Sequence, residues 1–227
     1  MSINNSYFSR NNTIIYNSFV NTGRNPVTEL FYGSVISTQY PNNYSRFIFD
    51  LDLTLLKDKI ADGTISTTCT DDIKHTLRMV NTSTFNDMLN TTTSQSRMRA
   101  TSFDLILFRI PTVYDTTDPQ IWDEGVGYDY ADLVYEIKND KNFSDRPSNW
   151  YQTTTIGTWS EPGIYNNKNT GLVNFNDIHI VDTQHFEFGN ENISFDMTDE
   201  INAILNGSLT NVSGWGIAFK PQVENLT

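Results

Sequence analysis

The chain has one cysteine, Cys69, in 227 residues. A lone thiol closes no internal disulfide, and neither a CxxC pair nor a zinc-ligand spacing is present. Cys69 lies in Thr67-Thr68-Cys69-Thr70 with no basic neighbour to lower its pKa, which predicts an unreactive, half-buried thiol. Positive charge is also scarce. Fifteen Lys and Arg face 27 Asp and Glu, for a formal net charge of −12. Nucleic-acid affinity rests on cations neutralising phosphates, so nucleic acid is excluded as a partner, and anionic membrane surfaces with it. The nearest approach to a basic cluster, Arg97-Met98-Arg99, is too short to alter that balance.

Long hydrophobic runs are missing as well. A bilayer span needs about 20 apolar residues, whereas the longest clear run, Leu105-Ile106-Leu107-Phe108, suits one buried strand. Residues 1–16 hold neither a basic n-region nor an apolar h-region, which predicts no standard secretory export. Catalytic signatures are absent too, with no HExxH, GxSxG or P-loop. The three histidines, His75, His179 and His185, follow no metal-ligand pattern. Acidic pairs such as Asp123-Glu124 have the right chemistry for glycoside hydrolysis, but that reaction needs two carboxylates at a fixed separation. Asp123, Glu124, Asp129 and Asp132 share a loop with Gly125 and Gly127, and carry oxygens of the kind calcium takes, without EF-hand spacing. The expectation is a non-enzyme without cofactor or metal, whose acidic loop is solvated or docks on a basic partner.

What is abundant points to strands and turns. There are 28 Thr and 26 Asn, and 13% of residues are aromatic. Thr favours strands, Asn favours turns, and the aromatic content argues against general disorder. A globule of this length buries roughly 70% of its unfolded surface, so a large core is available. Strand signals occur at Thr13–Tyr16, Val27–Tyr32, Tyr44–Leu51, Ile73–Val80, Phe103–Ile110, Ile178–Val181, Gln184–Gly189, Asn192–Met197 and Gly214–Phe219. In Tyr44–Leu51 the alternation sets Phe47, Phe49 and Leu51 towards the core, opposite Arg46, Ile48 and Asp50. Two short helices are expected, over Asp52–Gly63 and Thr198–Gly207. The first is capped by Asp52 or Thr54, the second by Thr198, and each ends at a glycine. Residues 84–100 and 139–169 read as long loops, and no linker or internal repeat divides the chain. The pattern predicts one all-β domain over residues 1–227, a jelly-roll β-sandwich with two short helices and long loops.

Several segments occur in a characteristic order: Asn12-Thr13-Ile14-Ile15, Asn21-Thr22-Gly23-Arg24-Asn25-Pro26, Ser45–Leu51, Trp122-Asp123-Glu124-Gly125, Thr158–Gly163, Ser194–Thr198 and Gly214–Phe219. This set resembles the DNRLRE-type module, a jelly roll similar to carbohydrate-binding modules. The set, including the loop from Trp122 to Asp129, also resembles tail structural proteins of crAss-like phages. The resemblance implies a noncatalytic virion component of a tail or neck ring, partnered by other virion proteins and by copies of itself. The alternative it implies is a carbohydrate-binding or adhesin module on a bacterial surface. Trp150, Tyr151 and Trp159 are the candidate sugar or partner contacts. Phe47, Phe49, Phe103, Leu105 and Trp215 are the candidate core. Residues 84–100 and 139–169 are expected at subunit interfaces.

Overall fold

The computed structural model describes residues 8–18, 21, 28, 30–31, 44–65, 73–81, 102–110, 122, 148–153, 157–165, 178–189, 191–210 and 212–220. Among these lie seven strands: β1 (Phe8–Ile15), β2 (Ser45–Leu51), β3 (Thr76–Met79), β4 (Phe103–Arg109), β5 (His179–Phe186), β6 (Ile193–Asp196) and β7 (Trp215–Phe219). Helix α1 (Thr54–Ala61) follows β2, and α2 (Thr198–Leu205) follows β6. Every pairing is antiparallel, and three of them are nested: β2 with β7, β3 with β6, β4 with β5. Such nesting describes one long ribbon. Rolling the ribbon brings β7 beside β4 as well and leaves the middle rung, β3 with β6, in a sheet of its own. The result is a five-stranded sheet in the order β1-β2-β7-β4-β5 and a two-stranded sheet β3-β6, the strand path of a jelly roll. The all-β sandwich with two short helices is thus the architecture the strand pattern predicts.

Alternation along β2, β4 and β7 decides which residues face which layer. Phe47, Phe49, Leu105, Leu107, Trp215, Ile217 and Phe219 pack in one cluster with Leu77 of β3, Phe195 of β6 and Ile201 of α2. Burying a side chain of this size stabilises the fold by about 1.5–3 kcal/mol. Of the expected core, Phe47, Phe49, Leu105 and Trp215 are buried. Phe103 is half-buried and stacks on Phe186 at 5.2 Å. Gly214, at φ +107°, would place any Cβ 2.5 Å from the Phe49 carbonyl oxygen, and a Cβ on Gly216 would collide with the Phe108 ring. The Gly-Trp-Gly sequence is therefore a condition for β7 to lie between β2 and β4.

The opposite face of the large sheet is covered too. Ile14, Ile48, Ile106, Phe108 and Ala218 pack against Trp122, Trp150, Trp159, Ile164 and Tyr165. All five covering residues come from residues 110–178, the connection between β4 and β5. Residues 139–169, read in the sequence as a long loop, are in part tied to the sheet. Their described parts, 148–153 and 157–165, supply buried residues that pack on the chain's own sheet, as a third layer. Residues 84–100, Cys69 and the acids Asp123, Glu124, Asp129 and Asp132 lie outside the described residues.

Other expectations need adjusting. Half of the strand expected over Val27–Tyr32 lies outside the described residues, and Thr28, Leu30 and Phe31 are not in a strand. His179 and His185 share the single strand β5 with no turn between them, since its ladder with β4 continues past a bulge at Leu107/Phe108. Thr198 does not cap α2. The N-cap is Met197, while the Thr198 hydroxyl accepts the His75 backbone N–H at 3.1 Å.

The two helices also share a local template that the sequence reading passes over. Asp52 and Asp196 each accept the backbone N–H two residues on, from Thr54 and Thr198, both at 2.9 Å. Asp62 and Asn206 close the two helices, and Gly63 and Gly207 follow at φ +78° and +77°. Ile65 and Leu209 then donate back to Lys59 and Ala203, both at 2.9 Å. This is the glycine-terminated helix end, used twice.

Candidate functional site

Three polar constellations are held inside or against the sandwich. The first surrounds Arg46 on β2, which the alternation places on the sheet face opposite Phe47. The side chain is 1% exposed. It donates to the Tyr165 carbonyl at 3.1 Å and to the Gly163 carbonyl. Its guanidinium lies 3.7 Å from the Tyr165 ring centre, 4.8 Å from that of Trp150 and 5.5 Å from that of Tyr44. A desolvated cation over aromatic faces gains about 2 kcal/mol per good contact.

The segment that brings Trp150 there is set locally. Asn149 Oδ1 accepts the N–H groups of Tyr151 and Gln152 at 2.9 and 3.1 Å, an Asx turn. The Asn149 carbonyl accepts the Trp159 indole N–H at 2.7 Å. Asn12 of β1 donates to the Ser148 carbonyl and hydroxyl at 2.6 and 2.7 Å, which fixes the segment to the sheet. Gly163, at φ +75°, lies flat against the Trp150 ring, where any Cβ would collide with it.

This geometry bears directly on the residues expected to contact sugar. Trp150 is 4% exposed and Trp159 5%. Neither leaves a ring face for a pyranose to stack on. Tyr151 is half-buried, and its hydroxyl donates to Asn17 Oδ1. The structure brings the three rings into one segment, but as packing elements.

The second constellation centres on Glu200 in the first turn of α2, 4% exposed. Its carboxylate receives Arg109 Nε at 3.0 Å and the second Arg109 nitrogen, a two-pronged pair. His179 Nε2 lies 3.0 Å from Oε1, and the Trp215 indole N–H donates to Oε2 at 3.3 Å. Burial pushes the carboxyl pKa up, but the hydrogen bond and charge of Arg109, with Trp215 and His179, hold it below the ordinary value. A carboxylate held ionised by donors on β4, β5 and β7 acts as a tether for α2, not as a proton donor. In the sequence Glu200 looks only like an acid suited to the positive end of its helix, and Arg109 on the apolar strand β4 is the signal for a buried partner.

The third constellation is exposed. His185 Nδ1 lies 2.8 Å from Asp104, its Nε2 3.3 Å from Glu187, and Lys220 3.2 Å from Asp104. The Asp104 hydrogen bond, followed by that of Glu187, pushes the His185 pKa up, and the same bond pushes Asp104 down. Exposed pairs of this kind contribute little to stability.

His75 stands apart, at the junction of β3, β6 and α2. Burial pushes its pKa down, against a hydrogen bond with Asn202 and the charge of Asp196. Its Nε2 is buried without a hydrogen-bond partner among the described residues. The unfolded chain therefore takes up a proton near pH 6.5 that the folded chain resists. The His75 contribution to stability is expected to fall as pH drops below about 6.5, until the folded-state value is passed. Melting curves between about pH 7.5 and pH 5 should show a smaller drop for His75→Gln than for the natural chain.

Among the described residues no group of three or more His, Cys, Asp or Glu could hold a metal ion. No described helix is long and apolar enough to cross a membrane. Comparison with protein-family models, with curated proteins and with solved structures finds no match.

Proposed function

We propose that the protein is a noncatalytic structural component of a virion, of the tail or neck-ring kind, that acts by assembling with copies of itself and with other virion proteins. One observation carries the choice over its rival. The aromatic side chains best suited to bind a ligand, Trp150 and Trp159, are buried where they pin the β4–β5 connection onto the sheet. A carbohydrate-binding or adhesin module that stacked sugar on these two residues would need their ring faces in solvent. A sandwich covered on both faces of its main sheet, with buried charges tying its layers together, suits a rigid building block. The acidic balance, −12 over the chain, fits contact with proteins and not with the packaged nucleic acid.

Electron microscopy of the purified protein tests the reading. Closed rings, or immunogold label on the tail or neck of particles, are the expected result. A monomer at every concentration that binds one glycan saturably on an array would instead establish the carbohydrate-binding alternative.

A further inference from the structure

The small sheet has two edges, and they differ. In an antiparallel ladder hydrogen-bonded and non-bonded pairs alternate. The bond from the Met197 N–H to the His75 carbonyl, at 2.8 Å, sets the phase. By register the next bonded pairs are Leu77 with Phe195 and Met79 with Ile193. The backbone groups of Ser194 and Asp196 therefore point away from β3. Those of Thr76, Arg78 and, just beyond β3, Val80 point away from β6.

The β6 edge is sealed by side chains of β5. Gln184 donates its amide to the Asn192 carbonyl at 2.9 Å and accepts the Ser194 N–H at 2.7 Å. Asp182 accepts the Asp196 N–H at 2.7 Å. The Gln184 amide thus takes the place of a neighbouring strand's peptide group. The β3 edge is left open. Among the described residues no hydrogen bond reaches the outward backbone groups of Thr76, Arg78 and Val80. An unpaired row of this kind is a template for one more strand.

The side chains along the edge select the strand. Lys74, Thr76, Arg78 and Val80 are all exposed, Val80 by 77%. Leu77 and Met79 turn the other way, into the core cluster. The charge of Lys74 acts on Asp196. Arg78 lies opposite Ser194 and forms no ion pair with another described residue. A strand added here gains most with apolar residues beside Leu77 and Met79 and a carboxylate beside Arg78. The edge strands of a second copy do not meet that need, since β1 and β3 each hold an arginine and no acid.

We infer that β3 is a docking edge, at which an extended segment of another protein, alternating acidic and apolar residues, adds as a third strand of the small sheet. Its backbone pairs with Thr76, Arg78 and Val80, and its carboxylate meets Arg78. The inference rests on the assembly reading above for the origin of the partner, and adds to it a surface for a protein other than this chain.

Three short blocked peptides test it, followed by nuclear magnetic resonance through the amide signals of the isotope-labelled full chain. The first alternates valine with glutamate. The second is the same peptide N-methylated at its glutamates, whose N–H groups face β3 when the carboxylates share a face with Arg78. The third has lysine in place of glutamate. The first is expected to bind saturably and to protect the Thr76, Arg78 and Val80 amides from exchange. The second and third are expected to bind more weakly, by about tenfold or more. Val80→Pro removes an outward N–H and no bond to β6. It is expected to weaken the first peptide by a similar factor while circular dichroism stays unchanged. No binding of the first peptide at about 1 mM, or binding that neither methylation nor lysine weakens, would overturn the docking edge and leave ring assembly standing. The expected binding by a chain that forms no rings would uphold the edge and count against self-assembly.

Discussion

Arg46→Ala is expected to destabilise the fold by about 3–5 kcal/mol, through a cavity and unpaired carbonyls at once. The side chain is 1% exposed, and its removal leaves the carbonyl oxygens of Gly163 and Tyr165 without this donor. The rings of Tyr44, Trp150 and Tyr165 would line the gap. Arg46→Lys should recover only part of the loss, since an ammonium is more strongly hydrated and lacks the flat guanidinium that lies over the Tyr165 ring. Urea unfolding with tryptophan emission as the probe measures both. A loss below about 1 kcal/mol in the alanine variant would mean that the aromatic layer holds without the cation.

Arg109→Ala is expected to cost a similar amount, about 3–5 kcal/mol, because it strands a buried carboxylate. Glu200 would keep only His179 and the Trp215 indole as partners among the contacts described. Adding Glu200→Gln to Arg109→Ala should restore part of the stability, because the uncompensated charge is then gone. The sign of the pH dependence follows from the lowered carboxyl pKa. The Arg109–Glu200 contribution is present above the unfolded carboxyl value of about 4.5 and fades as pH falls through the folded one. Natural and doubly substituted chains should therefore converge in stability on acidification, which unfolding at a series of pH values would reveal.

The strands were legible because alternation is a local property. Phe47 and Phe49 declare an inward face from β2 alone, and both short helices show their glycine ends in the sequence. The far side of the same strand was not legible. Arg46 and Asp50 read as a solvent face, yet Arg46 is buried because Trp150 and Tyr165 return from more than 100 residues away to cover it. Trp150 and Trp159 looked like ligand contacts for the same reason. Residue type alone does not separate a ring that packs from one that binds. Its own helix suggests only a dipole role for Glu200, whereas its chemistry is decided by Arg109, 91 residues away. Pairings of that span depend on the roll of the whole ribbon, which no single segment encodes.

The position of β7 has a bearing on how the protein is made. It is the last of the seven described strands to leave the ribosome, yet it occupies the middle of the five-stranded sheet, between β2 and β4. Until it emerges, β2 and β4 have no common neighbour, and both present raw edges to solvent. Synthesis cut short before Trp215 leaves two half-sheets that cannot join, so an incomplete product lacks the finished block and is left to chaperones and proteases.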